Sequence, residues 1–164
     1  MSGQTVLSAS PLEFSLVFAG LDEADLLVKH RLGLLREVHP ELETKIQESE
    51  IWTRDWIRKR LSDGELIGLL AKADDGKVVG SGCIWLRDDL PRPTNPRMVA
   101  PYLMSMYTTP EFRRKGVARL IVQSALKWCR ERGYERVNLH ASEAGKPLYA
   151  SLGFSPTTEM RAKL

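Results

Sequence analysis

Apolar positions along this chain alternate between strand-like runs and helix-like stripes. Phe14 to Ala19 is a short apolar run suited to a first strand. Asp22 can cap a helix reaching about Val38, with Leu26, Leu27, His30, Leu34, Leu35 and Val38 along one face, and Pro40 ends it. Glu43 to Leu61 continues at helical spacing through Ile46, Trp52, Trp56, Ile57 and Leu61. Leu66 to Ala73 and Val78 to Leu86 are strand-like, and Asp74-Asp75-Gly76-Lys77 between them is a hairpin signal. Four prolines within Leu90 to Pro101 predict a long loop. Nearer the C-terminus, Arg136 to His140 reads as a strand, Lys146 to Leu152 as a short helix, and Thr158 to Lys163 as a last strand. Residues 1–12 are expected to be loosely ordered.

The pattern is organised around Tyr102 to Gly133. Tyr102-Leu103-Met104-Ser105-Met106-Tyr107 is an apolar run that suits a buried strand, and two threonines and Pro110 end it. Arg113-Arg114-Lys115-Gly116-Val117-Ala118 follows. It opens an amphipathic helix in which Val117, Leu120, Ile121, Ser124, Ala125, Trp128 and Cys129 recur at three- and four-residue spacing. Gly133 stops that helix. A strand, a short basic turn with a glycine and a helix together make an anion site. The first turn of the helix leaves backbone N–H groups unpaired, the macrodipole adds positive potential, and Gly116 removes a Cβ from the approach. Arg113, Arg114 and Lys115 add charge at the same place, which suits a pyrophosphate.

Composition narrows the classes without choosing among them. At 164 residues, 43% apolar and 27% charged, the chain has the make-up of one soluble domain. The net charge of +3 is too mild to demand nucleic acid. Cys83 and Cys129 lie inside apolar runs and read as buried structural thiols, with no metal or redox spacing. No apolar run reaches membrane-spanning length, and the N-terminus lacks a signal-peptide pattern, so a cytoplasmic location is expected.

The block Arg113-x-x-Gly116-x-Ala118, preceded by Pro110-Glu111-Phe112 and a strand, resembles motif A of the GNAT superfamily of N-acetyltransferases, Q/R-x-x-G-x-G/A. Leu148-Tyr149-Ala150-Ser151-Leu152-Gly153-Phe154 looks like the family's C-terminal block, and one helix and one strand separate the two. The resemblance implies a single acetyltransferase domain over residues 1–164. Its α/β fold would have a mixed, mostly antiparallel sheet of about six to seven strands flanked by about four helices. The implied reaction is acetyl transfer from acetyl-CoA to a primary amine, with no metal. By the same resemblance, Met106, Tyr107 and Thr108 would hold the pantetheine through main-chain groups, and Arg113, Arg114, Lys115, Gly116, Val117, Ala118 and Arg119 would surround the pyrophosphate. Ser142 stands where many members carry an asparagine that contacts the cofactor, and Lys146 is within reach of a CoA phosphate. Tyr149 matches the residue that protonates the leaving thiolate; a core aromatic is the alternative.

The rest of the reaction is less marked. Some members place a glutamate on the organising strand, and this chain has none there, which leaves Glu37, His39, Asp88 and Asp89 as candidate bases bordering the cleft. The acceptor pocket is expected from the first two helices and the Leu90 to Pro101 loop. Trp52 and Trp56 share a helical face and read as core, with an aromatic wall for the acceptor as the alternative. His30 reads as a core histidine. Arg87, Arg92 and Arg97 flank the loop and are candidates for holding a carboxylate on the acceptor. The expected partner is a small-molecule amine or a peptide or protein amine, with no membrane, and a homodimer is compatible. Two other classes stand behind the enzyme: a CoA-binding regulatory domain without catalysis, and, last, a nucleic-acid module built on the Arg113–Lys115 cluster.

Overall fold

The computed structural model describes residues 13–164, so the expectation of loose order in residues 1–12 lies outside the described residues. The elements run β1 (Ser15–Ala19), α1 (Ala24–Val38), α2 (Glu43–Glu48), α3 (Glu50–Ser62), β2 (Leu66–Lys72), β3 (Val78–Asp88), β4 (Val99–Thr108), α4 (Val117–Glu131), β5 (Asn138–Leu139) and α5 (Lys146–Ser151). The strands form one sheet in the order β1-β2-β3-β4-β5, antiparallel except for the parallel pair of β4 with β5.

Helices cover both faces of the sheet, which is why β2 reads as continuously apolar instead of alternating. Leu69 and Ala71 point to the face under α4, where Val117, Ile121, Val122, Ala125, Trp128 and Cys129 complete one core. Leu66 and Leu70 point the other way, to Leu27, Val28 and Leu32 of α1 and Ile57 of α3. Cys83 and Cys129 are free and buried, one in each core.

Three expectations about elements are corrected. Among the described residues the sheet has five strands and the fold five α-helices, against about six to seven and about four. The helix expected as one piece over Glu43 to Leu61 is two, because the Ser49 hydroxyl donates to the Ile46 carbonyl at 2.7 Å and competes with the helical ladder. The last strand expected at Thr158 to Lys163 is irregular. That stretch is mostly polar, and its one large apolar side chain, Met160, is 94% exposed, so pairing would bury little to offset the ordering entropy. For the same strands, β5 shrinks to Asn138–Leu139, whereas β3 and β4 run longer than expected and stay paired out to Asp88 and Val99.

His30 is the core histidine that the sequence suggested. It is buried on α1, its Nδ1 lies 2.8 Å from the Ser81 hydroxyl, and its ring stands 4.8 Å from that of Tyr107. Burial, with Lys29 nearby, lowers its pKa to about 4 from 6.5. Between those values the unfolded chain holds a proton that the folded chain does not, so stability falls as pH drops from 6.5 towards 4. The loss from this residue is expected to reach about 3 kcal/mol. Urea unfolding across that range checks it: the His30→Gln variant, whatever its own stability, should show a shallower slope, and an equal slope would mean that another group titrates.

Candidate active site

Strand β4 carries one more residue than its neighbour. Ser81 faces Tyr107 and Cys83 faces Met104, so Gly82 alone stands opposite Ser105 and Met106. Ser105 takes up the extra length with a left-handed φ of 57°. The bulge changes which face each later side chain meets. Before it, Leu103 belongs to the core under α4 and Met104 packs towards α1 and α3. Strict alternation would send Met106 after Met104; instead Met106 packs on the α4 side, and the Tyr107 ring turns to α1. Gly82 makes room for this, since a Cβ there would meet Met106 Sδ at 2.6 Å and Ile121 Cγ2 at 2.8 Å.

On the other edge, β5 pairs with β4 only at Tyr102–Asn138 and Leu103–Leu139. Past Leu103 the strands part, and a cavity of about 340 Å³ lies between them. Met104, Ser105 and Met106 form one wall, His140, Ser142 and Tyr149 another, and Arg31, Leu34 and Val38 of α1 contribute the rest. A second cavity, of about 280 Å³, is lined by Ser49, Trp52, Thr53 and Trp56 with Arg31, Cys83, Met104 and Ser105. Arg31, Met104 and Ser105 belong to both, so the two cavities meet at the bulge.

The basic turn leads from the end of β4 into α4. Gly116 is the N-cap of α4 with φ of 91°, no side chain caps the helix, and no acidic residue stands in its first turn. A Cβ built on Gly116 would meet nothing within 4 Å, so the space over these N–H groups is open. The cations around it are used unequally. Arg113 bonds the Glu37 carboxylate at 2.5 Å and the Thr108 carbonyl at 3.0 Å, which ties the turn to α1 and β4. Lys115 donates to the Glu111 carbonyl at 2.8 Å, and Arg119 to the Ser151 hydroxyl of α5 at 2.9 Å. Arg114 is exposed, with a left-handed φ of 61°. Val117 is buried in the core, and Ala118 is half-buried.

Of the other predicted site residues, Met106 and Ser142 line the cleft, and the Ser142 hydroxyl accepts from the Gly145 N–H at 3.2 Å. Lys146 instead pairs with Glu143 at 2.5 Å, on the surface. Tyr149 is half-buried at the cleft, edge-on to Phe154, and burial raises its pKa. The pKa of Tyr102 also rises, through burial first, and its hydroxyl is hydrogen-bonded to His140. The candidate bases do not line either cavity. Glu37 is held by Arg113, His39 lies 3.5 Å from Glu41, Asp89 pairs with Arg92 and Arg136, and Asp88 ends β3.

Of the elements expected around the acceptor, the two helical stretches line the second cavity. The Leu90 to Pro101 loop does not line the second cavity; part of it borders a separate one, of about 500 Å³, with Gly133 to Arg136. Arg87 lies over the Tyr102 ring at 4.3 Å, Arg92 pairs with Asp89, and Arg97 bonds the Arg132 carbonyl. The reading of Trp52 as core is also overturned, because it is 68% exposed where it borders the cavity. Trp56 is the half-buried partner, edge-on to Trp85 and beneath the Arg60 guanidinium at 4.1 Å.

A strand bulge, a splayed parallel edge and an open helix N-terminus thus occur side by side, and the family comparison agrees with them. The model of the Acetyltransferase (GNAT) family matches residues 32–154. The chain belongs to the GNAT acetyltransferase family. A GCN5-related N-acetyltransferase from Ralstonia eutropha JMP134 superposes with a TM-score of 0.83 at 28% identity, covering 93% of this chain and 99% of that one. A predicted acetyltransferase from Clostridium acetobutylicum, solved with acetyl-CoA, gives 0.81 at 24% identity over 93% and 96%. An aminoglycoside N-acetyltransferase in complex with CoA gives 0.68 at 17% identity over 96% and 98%. Among curated proteins none matches.

In this GNAT chain the described residues contain no group of three or more His, Cys, Asp or Glu placed to hold a metal. Among them, too, no helix is long and apolar enough to cross a membrane. Sequence reading passed over Arg31 and Ser105, which both cavities share. A signal existed for Arg31: it interrupts the apolar stripe of α1 midway between Leu27 and Leu34.

Proposed function

We propose that this chain transfers the acetyl group of acetyl-CoA to a primary amine seated in the cavity beside Trp52 and Trp56. The observation that carries the reading is the junction of the two cavities at the Ser105 bulge, where one chamber runs along the unpaired edge of β4 and the other opens towards α3. Acetyl-CoA fits the first chamber on the evidence of Gly116, whose missing Cβ leaves the α4 N-terminus open to a phosphate. It brings an acyl group activated as a thioester.

The protein's own groups have separate tasks. Backbone N–H groups from Gly116 to Arg119 take the pyrophosphate, and Arg114 supplies free charge beside them. Lys115 and Arg119 have donors to spare beyond the single bonds they make. Arg113 keeps the turn in place through Glu37 and Thr108. Main-chain groups of Met106, Tyr107 and Thr108 hold the pantetheine along the free edge, and Ser142 faces them. Lys146, paired with Glu143, acts at most at the rim. In the reaction the amine nitrogen bonds to the acyl carbon, the carbon–sulfur bond breaks, and the Tyr149 hydroxyl donates a proton to the departing sulfur. No carboxylate among the described residues lines either cavity, so the proton that the amine nitrogen loses passes to water, and a proton from water restores the Tyr149 phenol.

An acetyl-CoA consumption assay against amines, amino acids and peptides tests the reading, with calorimetry for binding. Binding without transfer to any acceptor would make the chain a CoA-binding module instead. Gly116→Val is expected to weaken CoA binding about tenfold or more, through the added branch and through left-handed strain of about 1–2 kcal/mol. Gly116→Asn separates these causes, because asparagine tolerates the backbone but still fills the space. An asparagine variant that binds CoA as tightly as the parent would confine Gly116 to a backbone role.

Tyr149→Phe keeps the ring and removes the proton. Turnover is expected to fall about a hundredfold while acetyl-CoA affinity holds, since the proton matters in the transition state alone. Unaltered turnover, on an acceptor for which chemistry is rate-limiting, would remove Tyr149 from the mechanism.

A further inference from the structure

Resting on that reading, we infer that Arg31 selects the acceptor: it holds a carboxylate next to the reacting amine, so the substrate is a free α-amino acid or close analogue with an apolar or aromatic side chain. Arg31 is half-buried, lines both cavities, and its charged group is desolvated by burial. The cavity walls around it are largely apolar, with Leu34, Val38, Trp52, Trp56, Ile57 and Met104 among their lining residues. Among the described residues no carboxylate lies within 4.0 Å of it, whereas Arg36, on the same helix, pairs with Glu43. The nearby Cys83 thiol is no counter-charge, because burial pushes its pKa up to about 12 and keeps it protonated. A desolvated cation in apolar surroundings is costly unless an anion meets it.

The cofactor does not provide that anion. Its charges belong to the phosphates, and the turn that would receive them is tied to α1 at Glu37, six residues and about 9 Å along the helix from Arg31. Its thioester end is neutral. The missing charge therefore arrives with the acceptor, and its position fixes where on the acceptor it sits. Transfer must take place where the chambers meet, and Arg31 lies at that junction with Met104 and Ser105. Amine and anion are thus close neighbours in one small molecule. A peptide N-terminus fails this condition, since its nearest carboxyl group is locked in an amide. The remainder of the acceptor extends along the exposed face of Trp52 and past Trp56, within a chamber of about 280 Å³, which favours a compact apolar or aromatic side chain.

The test compares phenylalanine, phenylalaninamide and phenethylamine as acceptors, with rates referred to the free-base concentration of each. The parent protein should favour phenylalanine in kcat/KM by about tenfold to a hundredfold, the range for a hydrogen-bonded charge pair. Arg31→Met, similar in length and uncharged, should bring phenylalanine level with the other two, and Arg31→Lys should restore part of the preference. Calorimetry with CoA on each variant confirms that the fold and the cofactor site are intact. A uniform fall for all three acceptors in Arg31→Met would overturn the inference, because the cation would then serve the reaction centre or the fold. A parent that acetylates the amide and the amine as readily as the acid also overturns it, yet leaves the acetyltransferase reading standing. A parent that binds CoA and transfers to no acceptor overturns both.

Discussion

One extra residue in β4 changes three things at once. Because side chains alternate along a strand, inserting Ser105 opposite Gly82 reverses the facing of everything after it, so Met106 goes to α4 and Tyr107 to α1. The same insertion increases the local twist, and it lies just past the last residue of β4 that β5 still pairs, Leu103. Backbone groups that a longer β5 would have satisfied therefore face a cleft. Finally, Ser105 becomes a wall common to the two chambers, beside Met104 and Arg31.

Charge is distributed around this geometry in a consistent way. The anion-facing end depends on backbone dipoles at the α4 N-terminus, with most nearby cations anchored by protein partners: Arg113 to Glu37 and Thr108, Lys115 to Glu111, Arg119 to Ser151. These contacts lock the turn to α1 and β4 and fasten α4 to α5, so an arriving phosphate would meet donors already in place. The acceptor end follows the opposite rule, with a single cation that nothing in the described chain neutralises. Helix α1 joins the two ends, since it carries Arg31 near its middle and Glu37 near its end.

What could be read in the sequence was what is local. The stripe of α4, the hairpin at Asp74 to Lys77 and the open turn at Gly116 each follow from residues close in sequence, and each stands where the pattern placed it. The failures are mostly tertiary, with one local exception at Ser49. Nothing in Thr158 to Lys163 says that no strand will pair with it, and Ser49 splits a helix through one hydroxyl that composition does not single out. The second cavity draws on α1, α3, β2, β3 and β4, so no single stretch reports it. Arg31 was legible only as a charge in the wrong place on an apolar stripe, and an exposed lysine or arginine with a buried stem looks the same in sequence.

The proposed proton donor has a limit that follows from its own surroundings. Burial raises the pKa of Tyr149 above that of an ordinary phenol, which keeps it protonated, and so ready to donate, across the neutral range. A phenol is already a weaker acid than the thiol it would generate, for thiols ordinarily ionise near pH 8.5, and burial widens the gap. Complete transfer from the phenol to a free thiolate would therefore run uphill. What Tyr149 can offer is a hydrogen bond that strengthens as charge gathers on sulfur, with proton transfer late and coupled to carbon–sulfur cleavage. Such a donor acts mainly by stabilising charge in the transition state. On the proposed reading, its benefit belongs at the lower end of what general acids supply.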